Sequence, residues 1–328
     1  MKRRALFYRI LGLLALVLVL LGQTSCATVP TAAPKGEMVP FGDFPPGAAV
    51  LFYGDIQRSR SLITELYRLG SVKALQRVPQ KSLDYAGQIY GALYKEGAQQ
   101  RFYAIASGRF PVFQTNFSLI FNPDWKQKHS GGLSYWRSEK DGLSLMISSR
   151  KVTITDGKPE LISSGTPGEP AHGNLTVLAE ELSDSNFYLV FNSPESLVKK
   201  FMGGLGAIGA EFQIPLKQIS LKVYPASEPG TYAMQARFDT ASPSYGKALG
   251  ALLMLASRFM QPITQDMIQE GDPAHSDQIL QQIGALLFSE RPTVAGPLVL
   301  LTSKPMTEAE LTLLLHRLLV YFDGTKIL

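Results

Sequence analysis

Leu133-Ser134-Tyr135-Trp136-Arg137, Leu143-Ser144-Leu145-Met146-Ile147-Ser148 and Lys151-Val152-Thr153-Ile154-Thr155 are three short runs in which the pattern shifts toward a period of two. Asp141-Gly142 and Ser149-Arg150 separate them, and Asp156-Gly157 closes the last. Asp-Gly between such runs is a strong hairpin signal, because glycine reaches the positive φ that tight turns require. The three runs therefore read as successive antiparallel strands. Antiparallel neighbours need no crossover helix, so they separate this chain from the parallel α/β class.

Working outward, Ala49 to Tyr53 is an apolar run after a Pro-Pro-Gly turn and reads as a strand. Ser59 or Ser61 opens a helix through Leu69, with Leu62, Ile63, Leu66 and Leu69 on one face. Tyr85, Ile89, Tyr90, Leu93 and Tyr94 recur at three-to-four spacing, which predicts a second helix over Leu83 to Tyr94. Gln100 to Ser107 reads as a strand, and Val112 to Phe121 as a short helix or irregular apolar stretch. Beyond the hairpins, strands are predicted at Asn186–Phe191, Gln218–Tyr224, Thr231–Phe238 and Pro297–Thr302. Helices are predicted from Glu195 to Met202, from Ser242 or Ser244 to Met260, and from Asp277 to Phe288. A further helix runs over Thr307–Tyr321, with Thr307 and Glu310 at capping-box spacing.

The halves echo one another. Tyr53 and Tyr188 stand 135 residues apart in similar strand-then-helix settings, and Tyr103 and Tyr232 stand 129 apart. Near-equal offsets point to two diverged copies of a strand-helix-strand unit. The expected fold class is α+β, with antiparallel or mixed sheets packed by helices. Its boundaries are 48–182 for the first half and 183–328 for the second.

The first 47 residues differ in kind. Met1 to Arg9 is basic, and Ile10 to Leu21 is an apolar run of twelve residues. That suits a signal-peptide core and is short of the roughly 20 residues a spanning helix needs. Leu20-Leu21-Gly22-Gln23-Thr24-Ser25-Cys26 follows, and Cys26 is the only cysteine of the chain. These residues resemble the processing site of bacterial lipoproteins, in a relaxed form similar to that of spirochaetes. The resemblance implies a signal peptide over 1–25, lipid on the Cys26 thiol and an extracytoplasmic body anchored to a membrane. Gln23 departs from the Leu-like residue usual at that position. Ser25-Cys26-Ala27 also reads as a site for ordinary signal peptidase, and retention of the leader is a third reading. Ala27 stands where an aspartate would mark inner-membrane retention, so the resemblance implies the outer membrane in a two-membrane cell. Residues 26–47, with Pro30, Pro34, Pro40, Pro45 and Pro46, read as a proline-rich tether.

Charge excludes one class of partner. Lysine and arginine total 32 against 27 acids, but Lys2, Arg3, Arg4 and Arg9 lie in the leader, which leaves 28 against 27. A nearly neutral mature chain gives no electrostatic footprint for nucleic acid. Apolar residues at 45% and charged residues at 18% suit a globular body with a sizeable core, and one cysteine leaves that core without an internal disulfide.

Motifs with catalytic overtones fail on context. Gly204-Leu205-Gly206-Ala207-Ile208-Gly209 matches GxGxxG, but a predicted helix precedes it where a dinucleotide site needs a strand. No cofactor is expected. Ser196–Lys199 and Ser148–Lys151 match SxxK without the companion Lys-Thr-Gly. His129, His172, His275 and His316 have no metal-ligand spacing, and no metal is expected. Trp125 and Trp136 flank the cationic stretch Lys126 to Gly132, a sugar or peptide surface if open and core if buried.

Ala248 to Met260 is apolar almost all round, with Gly246 and Gly250 at GxxxG spacing. Burial explains such a helix, and an apolar-ligand surface of Leu249, Leu252, Leu253, Met254, Phe259 and Met260 is the functional alternative. The sequence thus leads to a lipoprotein with a non-catalytic binding or scaffolding role. Its partners are the membrane, through Cys26, and an envelope protein or lipid. A carrier of an apolar ligand and a hydrolase are the alternatives.

Overall fold

The computed structural model describes residues 41–69, 83–96, 99–163, 179–192, 214–259 and 290–324. The leader, Cys26, the tether to Pro40, the glycine run 204–209, Ser196–Lys199, His172, His275, Met260 and the helices expected over Glu195–Met202 and Asp277–Phe288 lie outside the described residues. The chain divides into two compact units, Met1–Ser183 and Asp184–Leu328.

The first unit runs β1 (Val50–Asp55), α1 (Arg60–Leu69), β2 (Ala86–Glu96), β3 (Gln99–Gly108), α2 (Val112–Ile120), β4 (Trp125–Ser130), β5 (Leu133–Ser138), β6 (Leu143–Ile147), β7 (Lys151–Thr155), α3 (Glu160–Ser163) and α4 (Ala179–Ser183). Its strands lie in the order β1-β2-β3-β7-β6-β5-β4, and every pairing is antiparallel. The three hairpin runs become β5, β6 and β7. Among the described residues their sheet ends at β4, where Gly131 and Gly132 form the two-residue link between Ser130 and Leu133 with φ of 56° and 76°. Two positive φ values are what a type I′ hairpin demands. In β4, Trp125 is buried and the next five residues are exposed.

The helix expected over Leu83–Tyr94 is instead strand β2. It lies between β1 and β3, and Ile89, Tyr90, Ala92 and Tyr94 are all buried. A strand covered on both faces loses its alternation, so its apolar residues fall by chance at helix-like spacing. Gly91 is there for packing. A Cβ at Gly91 would lie 2.2 Å from the Phe52 ring and 2.7 Å from the Tyr103 carbonyl oxygen. Packing also begins ahead of Ala48, since Phe41 and Phe44 are buried with their rings 6.2 and 5.7 Å from that of Tyr90.

The second unit runs β8 (Phe187–Phe191), β9 (Leu216–Pro225), β10 (Thr231–Thr240), α5 (Pro243–Phe259), β11 (Thr293–Ala295), β12 (Leu298–Thr302), β13 (Met306–Thr307) and α6 (Glu308–Gly324). Strand order is β11-β12-β10-β9-β8, with β13 also on β10. One face carries Val223, Met234, Ala236, Val299 and Leu301, all buried, and buried Leu249, Leu252, Leu253, Leu311 and Leu314 come from α5 and α6. The expected capping box is present. Thr307 N donates to Glu310 Oε2 at 2.8 Å, and Glu310 N donates to Thr307 Oγ1 at 3.3 Å.

The fold is α+β, and its units share an order. Each starts with a three-strand antiparallel meander, continues into a helix, and returns a later strand to pair with the third. Helix α1 supplies the strand-helix-strand step in the first unit; the matching stretch between β8 and β9 lies outside the described residues. Tyr53 pairs across to Tyr90 and then Ile105, as Tyr188 pairs to Lys222 and then Gln235. Ile105 to Gln235 is an offset of 130, one residue from the 129 separating Tyr103 and Tyr232. One residue exchanges the faces of a strand. The echo therefore marks equivalent strands without preserving register.

Candidate functional site

Helix α2 reads Val112-Phe113-Gln114-Thr115-Asn116-Phe117-Ser118-Leu119-Ile120 and holds no charged residue. Pro111 precedes it and makes no side-chain cap, while Thr115 Oγ1 donates to the Pro111 carbonyl at 2.9 Å. Thr115 and Leu119 form the buried side. Trp136 Nε1 on β5 donates to Asn116 Oδ1 at 2.9 Å and holds the helix against the sheet. Four large apolar side chains nonetheless face outward, with Phe113, Phe117, Ile120 and Phe121 exposed by 80, 54, 64 and 70%.

The three phenylalanines form a continuous ridge at i, i+4, i+8 spacing. Phe113 and Phe117 rings are stacked with centroids 6.2 Å apart, and Phe117 and Phe121 are tilted at 4.8 Å. Neighbours at i+4 lie on one helix face, so the side chains meet there. A contiguous exposed apolar patch on a globular body marks an interaction surface. A surface without formal charge selects for an apolar counterpart.

The residues singled out from sequence fall elsewhere. Leu249, Leu252 and Leu253 are buried in the second unit, while Met254 is 41% exposed. Met260 and the side chain of Phe259 lie outside the described residues. Gly246 and Gly250 bring α5 close to the β11–β12 hairpin. A Cβ at Gly246 would stand 2.4 Å from the Gly296 carbonyl oxygen, and one at Gly250 would stand 2.4 Å from Val294 Cγ2. Trp125 and Trp136 are buried, and Lys126 to Ser130 is strand rather than loop.

The second SxxK match is a turn device. Ser148 Oγ accepts from Lys151 N and donates to Lys151 O, both at 3.0 Å, while Lys151 Nζ pairs with Asp43 Oδ2 at 2.5 Å. The lysine amine is thus committed away from the serine. His129 is exposed on β4. His316 is half-buried on α6; burial, with Arg317 beside it, holds its pKa below the ordinary histidine value. Burial, with help from Asp55, pushes the Tyr53 hydroxyl up to about 12, so this phenol stays neutral. Among the described residues no three His, Cys, Asp or Glu side chains converge on a metal-sized site.

Sequence reasoning passed over the phenylalanine ridge. Its signal is an uncharged segment with aromatics four apart, whereas apolar content alone does not separate helix from irregular chain.

These features define a class: an α+β body with two antiparallel meanders, and an aromatic ridge on one connecting helix. Among solved structures it is similar to TP0453. Crystal form III matches with a TM-score of 0.54 at 14% identity over 85% of this chain and 98% of that one. Crystal form I gives 0.51 at 14% over 86% and 98%. Crystal form IV gives 0.52 at 15% over 84% and 96%. At that identity the likeness concerns the fold. No family model and no curated protein matches the chain. Among the described residues, no helix is long and apolar enough to cross a membrane.

Proposed function

We propose that the chain is a lipoprotein of the cell envelope, anchored on the extracytoplasmic side through lipid on Cys26, whose non-catalytic body rests on a lipid surface through helix α2. The observation that carries this reading is the exposed ridge of Phe113, Phe117 and Phe121 on a helix without charge. Full burial of one such side chain contributes about 1.5–3 kcal/mol, and a shallow interfacial contact captures part of that. The lipid anchor and the ridge then act as two linked contacts with one bilayer, and the second binds at the high effective concentration set by the tether. The outer membrane is the favoured site, on the strength of Ala27. Carriage of an apolar ligand by α5 is the weaker reading, because Leu249, Leu252 and Leu253 are already packed inside the fold.

Two measurements test this. Radioactive palmitate fed to cells expressing the chain should label it, and Cys26→Ala should remove the label; equal labelling would overturn the anchor. Separately, Cys26→Ala protein should float with phospholipid vesicles, and changing Phe113, Phe117 and Phe121 to Ser should leave it at the bottom of the gradient. Equal flotation would overturn the ridge.

A further inference from the structure

Residues Phe41-Gly42-Asp43-Phe44-Pro45-Pro46-Gly47 form a strap of turns and bends ahead of β1. Strand register tells which face they cover. Trp136, which holds α2, pairs through Leu145, Ile154, Ala104 and Gly91 to Phe52, so these six share one face. Tyr90 and Tyr94 differ in parity from Gly91 and occupy the other. The strap packs on that second face, opposite α2.

Its contacts are side-chain chemistry rather than strand pairing. Phe41 and Phe44 meet the Tyr90 ring edge-on. The Tyr94 hydroxyl donates to the Pro45 carbonyl, and the Tyr94 ring is itself edge-on to Tyr103 at 5.3 Å. Lys151 Nζ pairs with Asp43, whose carboxylate also engages the Tyr90 hydroxyl. The aromatic walls and the phenol donating to the Pro45 carbonyl hold this folded-back segment by side chains, without a strand pairing. Phe41 meanwhile has a φ of 88°, a conformation bulky residues avoid, and burial holds it there.

We infer that the tyrosine face of β2, β3 and β7 is a recognition groove for a Phe-x-x-Phe-Pro-Pro segment, filled by the chain's own Phe41–Gly47 as a releasable latch. Release frees seven residues of tether, about 20 Å at the reach of extended proline-rich chain, and opens Tyr90 and Tyr94 to a segment of the same kind. The inference stands apart from lipid contact by α2, since the latch and the ridge use opposite faces.

Amide hydrogen exchange on the full chain tests it. The Phe44 amide, bonded to the Phe41 carbonyl at 3.2 Å, should exchange faster than the amides of the β2–β3 ladder. Tyr94→Phe and Asp43→Asn should each speed it by about tenfold, the scale of one strong hydrogen bond, and leave the ladder unchanged. A free peptide Phe-Gly-Asp-Phe-Pro-Pro-Gly should speed it further by taking the groove, and a peptide with both Phe replaced by Ala should not. If the Phe44 amide exchanges only in step with the ladder in all three proteins, the strap is fixed core and the latch is overturned. If the peptide has no effect on Tyr94→Phe or Asp43→Asn protein with a fast Phe44 amide, the groove is overturned.

Discussion

Helices α2 and α5 hold the same place in their units, each following the third strand of a meander, yet α5 buries a row of leucines where α2 leaves a row of phenylalanines exposed. In α5, Leu249, Leu252 and Leu253 go inward, and Gly246 and Gly250 let the helix press on the β11–β12 hairpin. In α2, Thr115 and Leu119 go inward and the phenylalanines stay out. Strand order fixes where each helix lies, and in α5 the two glycines set which face presses on the hairpin, because backbones approach closely only where no Cβ intervenes.

The largest expected effect breaks this contrast at α2. Changing Phe113, Phe117 and Phe121 together to Ser should lower vesicle affinity by about 100-fold, from partial loss of three aromatic transfer terms. The denaturation midpoint should barely move, since these rings support no core. A large fall in stability would mean that α2 packs as α5 does. Next comes Gly246→Ala, whose new Cβ meets backbone that cannot swing aside. It should destabilise by about 1–3 kcal/mol in urea unfolding; a change near zero would deny that close approach governs α5.

Smaller effects sharpen the comparison. Thr307→Ala removes the α6 cap and should cost about 1 kcal/mol, read as a lowered midpoint. Trp136→Phe deletes the donor to Asn116 and should cost about 1 kcal/mol, with faster exchange confined to α2 and its neighbours. The smallest is a pH effect. The folded-state pKa of His316 is depressed, so the unfolded chain binds the proton more readily. Stability is full above the ordinary histidine value and declines as pH falls below it, until the folded-state value is passed. His316→Gln should flatten that decline in midpoints measured between about pH 5 and 7.5.

The antiparallel hairpins were legible because Asp-Gly and alternation act locally. Thr307 and Glu310 were legible for the same reason, since a capping box is complete within four residues. Strand β2 was misread because its neighbours cover it on both faces, and neither periodicity nor propensity records a neighbour. The ridge escaped for a related reason. Phe117 looks like core in any apolar count, and only the packing of Thr115, Asn116 and Leu119 beneath the helix shows that the sheet side was already full. The strap was hidden too: proline content describes a free chain well, but not one whose Phe41 and Phe44 find tyrosines waiting.

Strand β4, the last of its sheet among the described residues, presents Lys126, Lys128 and His129 to solvent. Lys126 is tied to Glu139 at 2.9 Å, and an open strand edge otherwise invites another strand to add on. Where two copies of this rim meet edge to edge, Lys128 of each faces the other, and their repulsion opposes pairing of strand to strand.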